Sequence, residues 1–372
     1  MSKVYTRTFT APDGRRMYFR GRTAKEAEQK RDEAKWKAER GLRINDTSTF
    51  AEVAELWFDT YKKGQMHIRS EETIEGTMRR YILPQLGWMQ LKDIRPLQIQ
   101  QLMSSIRQYS KSTQRKVLQC TRSIFLMAEE NGYIAKSPVQ KSVKAKGSTP
   151  DEKIPLTHEQ SDTLLEAVRG TRAYPLVLIL LHSGLRLGEA LGLMWSDIDF
   201  DAGTITVNRS IVYPQSHPEG LINDDMKTDA AHRTIPVPEF VIEELKGYRA
   251  QSKSVYVFAM RNGHYLSSAS YRSLWRVVEY RIVGRTNNSY EVVPRTVDFD
   301  VHPHLLRHTC ITRWFESGLD IKEVQYLAGH ADPSITLGIY THYMAQERRK
   351  ETAAKIRAVT KLTAKLCNIS AT

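Results

Sequence analysis

The segment VHPHLLRHTCITRWFESGLDIKEVQYLAGHADPSITLGIYTHY, residues 301–343, constrains this chain more than any other. Read as a helix, its first part sets His304, Arg307 and His308 at i, i+3 and i+4, on one side of the cylinder. Leu306, Cys310 and Trp314 fall on a neighbouring stripe that can face a core. A helix that gathers cations on one side wants an anion there. The pair Gly329-His330 follows, and then Tyr340, whose phenol is suited to attack such an anion. His304 and His308 also have the spacing of a zinc-binding helix. However, Leu305 stands where a metalloprotease needs its glutamate, and no Cys or Asp cluster completes a site, so no metal is expected.

The chain has 372 residues, enough for two or three domains with their own cores. Its net charge of +13 makes a polyanion the first partner to consider, and nucleic acid is favoured over membrane. The longest apolar run, Leu176–Leu181, is far too short to span a bilayer, and no signal peptide is read at the start. Cys120, Cys310 and Cys367 are odd in number and widely spaced, which suits a reducing cytoplasm better than a disulfide framework.

Residues 1–45 read as a small basic unit. Short strands over Val4–Thr10 and Met17–Arg20 flank the turn Pro12-Asp13-Gly14, and Thr23 with Glu26 caps a charged helix reaching about Arg40. Arg15, Arg16, Arg20 and Arg22 surround Tyr18 and Phe19, as in a β-ribbon that enters a DNA groove. Residues 46–140 read as four helices. Thr49 caps the first, and later ones cover Thr73–Tyr81, Arg95–Ile106 and Ser112–Glu130, broken by Pro84, Gly87 and Pro96. The last carries Val117, Ile124, Leu126 and Met127 as its apolar positions. Lys111, Arg115, Lys116 and Arg122 lie between them as candidate DNA contacts.

Residues 141–153, KSVKAKGSTPDEK, lack apolar periodicity and read as an interdomain linker, with Lys144 and Lys146 able to meet phosphates. A third domain covers 154–372. It begins with helices from Thr157 and over Tyr174–His182. Strands follow at Ile205/Val207 and Ile235/Val237, the second confined to a sheet edge by Pro236. Helices at Phe240–Tyr248 and Ser270–Tyr280 come before the opening segment, and a basic helix over Lys350–Lys365 closes the chain.

Metal-free transfer of a DNA phosphodiester has definite chemical needs. Arginine forks suit the non-bridging oxygens, a nucleophile must attack in line, and an acid must protonate the departing oxygen. Arg186 in GLRLGE and Arg307 can supply the forks, Tyr340 the nucleophile, and His304 and His330 donors or proton carriers. Lys227 sits near a hairpin turn from which a flexible side chain reaches the leaving oxygen. Tyr326 and Tyr343 are rival nucleophiles, and Lys253 is a rival lysine.

The order GLRLGE, MKTDAAHRTIPV, HLLRH, LAGH and IYTHY resembles the tyrosine recombinases, the integrase group of phages and conjugative transposons. The likeness spans the helical module and the whole third domain. It implies a multidomain, mainly α fold. The parts would be a small β-plus-helix N-terminal domain, a four-helix DNA-binding module and an α+β tyrosine-recombinase catalytic domain. It also implies catalytic roles for Arg186, Lys227, His304, Arg307, His330 and Tyr340. Glu189 would buttress the first arginine, and His308 would support the site from behind.

The family's activity is site-specific recombination through a 3′-phosphotyrosine, without metal or ATP. Its partners are double-stranded attachment sites, with four protomers acting together and a C-terminal helix docking on a neighbour. An excisionase and a host DNA-bending protein extend that list, in a cytoplasmic, nucleoid-associated setting of a bacterium or phage. Residues 1–45 would be the arm-binding domain, although two strands are read where that domain usually has three. The His330–Tyr340 spacing is one residue longer than in many members, with Pro333 placed in the intervening loop. A type IB topoisomerase and a non-catalytic DNA-binding regulator of the same fold are the alternatives.

Overall fold

The computed structural model describes residues 3–12, 14–44, 46–147, 154–224, 232–283, 299–341, 343–345, 348 and 352. Lys227 and most of the expected helix over Lys350–Lys365 lie outside the described residues. The chain divides into two compact units, Met1–Glu152 and Lys153–Thr372. It is mainly helical with small sheets.

The first unit opens with an antiparallel ribbon of β1 (Tyr5–Thr10) and β2 (Arg16–Gly21), paired from Tyr5↔Gly21 to Thr10↔Arg16. Strand alternation puts Thr6, Thr8, Thr10, Arg16, Tyr18 and Arg20 on the exposed face, and turns Phe19 inward. Helix α1 (Ala24–Glu39) packs behind the ribbon, its first turn held by the Thr23 hydroxyl, which accepts from the Glu26 N–H at 3.1 Å.

Four helical segments follow. Helix α2 (Phe50–Tyr61) starts at a reciprocal capping box of Thr49 and Glu52. Helix α3 (Ile68–Thr77) runs through a π-helical turn (Met78–Ile82) into α4 (Leu83–Leu86). Pro84 therefore does not break the chain into two helices, as the sequence suggests. The wide turn, closed by the Leu83 N–H on the Met78 carbonyl, absorbs it within one continuous run.

Helices α5 (Pro96–Ser105) and α6 (Lys111–Glu130) complete a core of Phe50, Val53, Trp57, Ile82, Ile99, Leu102, Val117, Ile124 and Phe125. Leu126, expected in that core, is 54% exposed, because it stands off the stripe that Val117, Ile124 and Met127 share. The start of the expected linker is docked on α6. Val143 is buried, Arg122 donates to its carbonyl at 3.0 Å, and the Lys146 N–H reaches Gln114 Oε1 at 3.0 Å.

The second unit is built around α8 (Tyr174–Ser183), which is buried almost throughout. It packs against α7 (His158–Val168), α9 (Leu187–Leu191), α10 (Glu239–Gln251) and α12 (Pro303–Glu316). One small sheet has the order β3 (Ile198–Asp199), β4 (Thr204–Val207), β7 (Arg233–Pro236), with β7 at its edge as Pro236 requires. A separate ribbon pairs β5 (Ser210–Val212) with β6 (Leu221–Asn223).

Helix α11 (Ser268–Val283) packs on α7, and α12 is followed by α13 (Ile321–Ala328) and by a helix over residues 333–341. Pro333 is not in the loop, as expected, but opens that helix. The N–H of a first helical residue has no partner within the helix, so proline costs nothing there, and the Asp332 carboxylate accepts from the Ser334 N–H at 2.9 Å.

Candidate active site

Two glycines end helices that aim carbonyls at one place. Gly184 terminates α8 with φ +60°, and a side chain there would meet the Trp314 ring at 2.7 Å. Gly329 terminates α13 with φ +63°. Helix C-termini carry unpaired carbonyls and partial negative charge, and in this molecule arginines satisfy them. Arg307 donates from Nη1 to the Gly184 carbonyl at 2.5 Å and from Nη2 to the Ala328 carbonyl at 2.6 Å. Arg186 donates from Nη2 to the Gly329 carbonyl at 2.5 Å. Arg233 donates from Nε to the Leu327 carbonyl at 2.7 Å. Three successive carbonyls of one helix end thus hold guanidiniums from three distant segments.

Glu189 ties the group together from below. Its carboxylate receives Arg186 Nη1 at 2.7 Å, Arg233 Nη2 at 2.7 Å and Arg233 Nη1 at 3.2 Å, and also caps α9 through the Arg186 N–H. Burial pushes the Glu189 carboxyl up, but the hydrogen bond and charge of Arg233, and then the charge of Arg186, more than offset this and hold it below the ordinary range. Arg307 is 3% exposed, and burial, followed by the charge of Arg186, pulls its guanidinium down to about 9. It therefore stays charged at neutral pH. The three arginines and one carboxylate leave the pocket with an excess of positive charge, an arrangement suited to an anion.

His330 lies at the same centre, 5% exposed, with Nδ1 at 2.8 Å from Thr336 Oγ1. Burial first, then the charges of Arg307, Arg186, Arg233 and His304, lowers it to about 4, so the imidazole is neutral at pH 7. His304 is exposed in the first turn of α12, and His308 is half-buried one turn on. Among the described residues no group of three or more His, Cys, Asp or Glu side chains could hold a metal ion.

The structure therefore brings Arg186, Glu189, Arg307 and His330 together, with His304 at the rim. Tyr340 is placed differently. Its ring is half-buried and packs on Phe315 with centroids 5.2 Å apart, beside Ile311, Val324 and Ala328. Among the described residues no hydrogen bond links its hydroxyl to Arg186, Arg307 or His330.

The candidate DNA contacts Arg15, Arg16, Arg20 and Arg22 are exposed on or beside the N-terminal ribbon, with the Arg16 guanidinium 5.8 Å from the Tyr18 ring. Arg115, Lys116, Lys144 and Lys146 are also exposed, and Lys111 is half-buried at the start of α6. Arg122 is exposed, yet its guanidinium is engaged by the Val143 carbonyl.

Arg233 escaped the sequence reading, although a signal was present. It stands in phase with Ile235 and Val237; alternation puts Arg233 and Ile235 on the buried side of β7, and Val237 is buried just past its end. An arginine on a buried face demands an acid, and Glu189 is that acid.

Residues 155–347 match the Phage integrase family, and residues 49–106 match the family described as Phage integrase, N-terminal SAM-like domain. The chain belongs to the phage integrase family. It is 28% identical over 363 residues to a tyrosine recombinase XerC-like protein of Caldanaerobacter subterraneus subsp. tengcongensis, covering 90% of this chain and 89% of that one. It is 25% identical over 291 residues to the transposase from transposon Tn916 of Enterococcus faecalis, covering 72% and 69%. In fold it resembles the Tn1549 transposon integrase in complex with transposon right end DNA. The TM-score is 0.65 at 22% identity, covering 82% of this chain and 99% of that one. The integrase is a tyrosine recombinase, a site-specific DNA strand-transferring enzyme.

Proposed function

We propose that Arg186 and Arg307 grip the non-bridging oxygens of one DNA phosphodiester and that Tyr340 attacks its phosphorus. The phenol proton passes to solvent, the bond to the 5′ oxygen breaks, a 3′-phosphotyrosine forms, and the released 5′ hydroxyl later attacks the ester on a partner strand, displacing the tyrosine. The observation that carries this reading is the meeting of both guanidiniums at the adjacent carbonyls of Ala328 and Gly329. Guanidiniums held side by side are what a phosphate with growing negative charge requires.

Arg233 adds a third positive charge and Glu189 removes one, leaving two to face a phosphorane that carries two negative charges. Neutral His330 donates a hydrogen bond to the phosphate, and His304 stands beside it as a further donor. By resemblance, Lys227 protonates the leaving oxygen and His308 steadies the site from behind. The bond energy is held in the ester, so neither ATP nor a metal is required.

The substrate is a pair of duplex attachment sites of a mobile element. The exposed bases of α6 track phosphates in the core site, and the Arg16/Tyr18/Arg20 face of the ribbon reads an arm site. In domain terms, 1–45 binds the arm, 46–140 binds the core, 141–153 connects, and 154–372 carries the chemistry and the protomer-exchanging C-terminus. Four copies act on the synapsed DNA. An excisionase and a host DNA-bending protein set direction, inside the cytoplasm on the nucleoid.

The test is a nicked duplex carrying the end of the element that encodes the chain. Wild-type protein accumulates a covalent adduct, and Tyr340→Phe forms none. An adduct that persists in Tyr340→Phe overturns the assignment of the nucleophile. Relaxation of supercoiled plasmid without exchange between duplexes points to a topoisomerase instead, and tight site-specific binding without cleavage to a regulator.

A further inference from the structure

We infer that Thr336 is a positioning residue. It fixes His330 as the tautomer protonated on Nε2 and couples the helix that carries Tyr340 to the arginine cluster. This deepens the proposed function and rests on its reading of His330 as a donor to the phosphate.

The starting observation is the 2.8 Å contact between His330 Nδ1 and Thr336 Oγ1. His330 is 5% exposed and Thr336 0%, so neither group can turn to water. A threonine within a helix ordinarily turns its hydroxyl back to the carbonyl four residues earlier, as Thr341 does to Leu337 at 2.8 Å. The Thr336 hydroxyl instead meets the imidazole. Among the described residues His330 is its hydrogen-bond partner.

That arrangement decides where the protons sit. The imidazole lies among Arg186, Arg233 and Arg307, so a second proton on the ring is disfavoured and one N–H remains. If that N–H were on Nδ1, the Thr336 hydroxyl would accept it, and its own proton would be buried without an acceptor. A buried donor left unpaired is costly. If the hydroxyl donates to Nδ1, both ends of that contact are satisfied, and the ring proton resides on Nε2. The second ring nitrogen is then a neutral donor available to a phosphate oxygen, its tautomer fixed by the bond its partner nitrogen makes.

The same bond has a mechanical consequence. Thr336 and Tyr340 are at i and i+4 on the helix over 333–341, so they share one side of it. His330 follows Gly329, whose carbonyl holds Arg186. A displacement of the helix bearing the nucleophile is therefore felt at the histidine beside the arginines. Phosphate stabilisation and deployment of the phenol become linked through one hydroxyl.

The experiment uses the full-length chain with ¹⁵N-labelled histidine. Long-range ¹H–¹⁵N correlations should show His330 with an unprotonated Nδ1 and a protonated Nε2. Thr336→Val should shift it to a mixture of tautomers, and Thr336→Ser should restore the wild-type pattern. In single-turnover cleavage of the nicked duplex, Thr336→Val should slow adduct formation about 10- to 100-fold, as loss of an orienting partner does elsewhere. Duplex affinity should be unchanged, and Thr336→Ser should recover the rate. In a His330→Phe background, Thr336→Val should cause no further loss. A wild-type His330 protonated on Nδ1 overturns the inference, as does an equal slowing by Thr336→Val in the His330→Phe background. A wild-type chain that forms no adduct at all refutes the parent reading, while the tautomer measurement still decides this one.

Discussion

Arg307 and Tyr340 belong to the same proposed site but are held by different physics. Arg307 is 3% exposed and has charged hydrogen bonds of 2.5 and 2.6 Å to two helix ends. Arg186 and Arg233 are fixed in the same manner, with Glu189 between them. Tyr340 is half-buried and rests on Phe315 by ring packing. The difference fits the role proposed for each group. Charge stabilisation is effective only when the donors are in place before charge develops. A nucleophile that forms a covalent bond to DNA has to leave its resting contacts, and apolar ring packing is non-directional and needs no exact partner. The arginines are therefore locked by polar bonds, and the tyrosine is parked.

The most severe way to break that contrast is to remove the lock. Arg233→Ala leaves Glu189 buried with half its partners gone and the Leu327 carbonyl unpaired. Breaking one side of a buried pair costs about 3–5 kcal/mol. Urea denaturation should show that loss, and cleavage should fall with it, because Arg186 is positioned through Glu189. Arg233→Lys keeps the charge but not the fork and should recover only part of either quantity. A stable Arg233→Ala protein would mean that the arginines do not depend on one another.

Much of this architecture was legible in the residues, and what escaped has common physical causes. The caps at Thr49 and Thr157 are local, and each begins a helix where the sequence places one. Arg186 and Arg307 stand out because few other pairs of arginines lie in such marked surroundings, GLRLGE and HLLRH. Pro84 was misread because a π-turn is a compromise between packing and hydrogen bonding, which the proline alone does not reveal. Leu126 was misread because apolarity says nothing of which side of α6 a residue occupies. Arg233 and Thr336 share a deeper reason. Arg233 is defined by an acid 44 residues away, which no short window contains; Thr336 is six residues from His330, but only the turn between them shows that the two side chains meet. The resting place of Tyr340 on Phe315 is likewise a tertiary fact.

Acid offers a gentler test. His330 is lowered to about 4 by burial and by the neighbouring arginines, against 6.5 when unfolded. Between those values the unfolded chain binds a proton that the native chain refuses, so stability falls as pH drops from 6.5 towards 4. A shift of that size corresponds to about 3 kcal/mol. His182, lowered to about 4 by its own burial and the charge of Arg313, adds a similar slope. Unfolding of His330→Gln followed from pH 7 to pH 4.5 should therefore lose visibly less stability than wild type. Identical slopes would show that the arginine cluster does not act on the imidazole, and the lock would be looser than its distances suggest.

The smallest expected effect sharpens the other side of the contrast. Tyr340→Phe removes a hydroxyl that has no hydrogen bond to the arginines or His330 among the described residues, and it leaves the ring on Phe315 unchanged. Its stability should match wild type within about 0.5 kcal/mol, the range of a substitution that disturbs no packing or buried polar group. The urea midpoint checks this directly. A loss of more than about 1 kcal/mol would mean that the phenol oxygen is held by a specific polar partner. The tyrosine would then be locked like the arginines, and reaching the phosphorus would require that bond to break first.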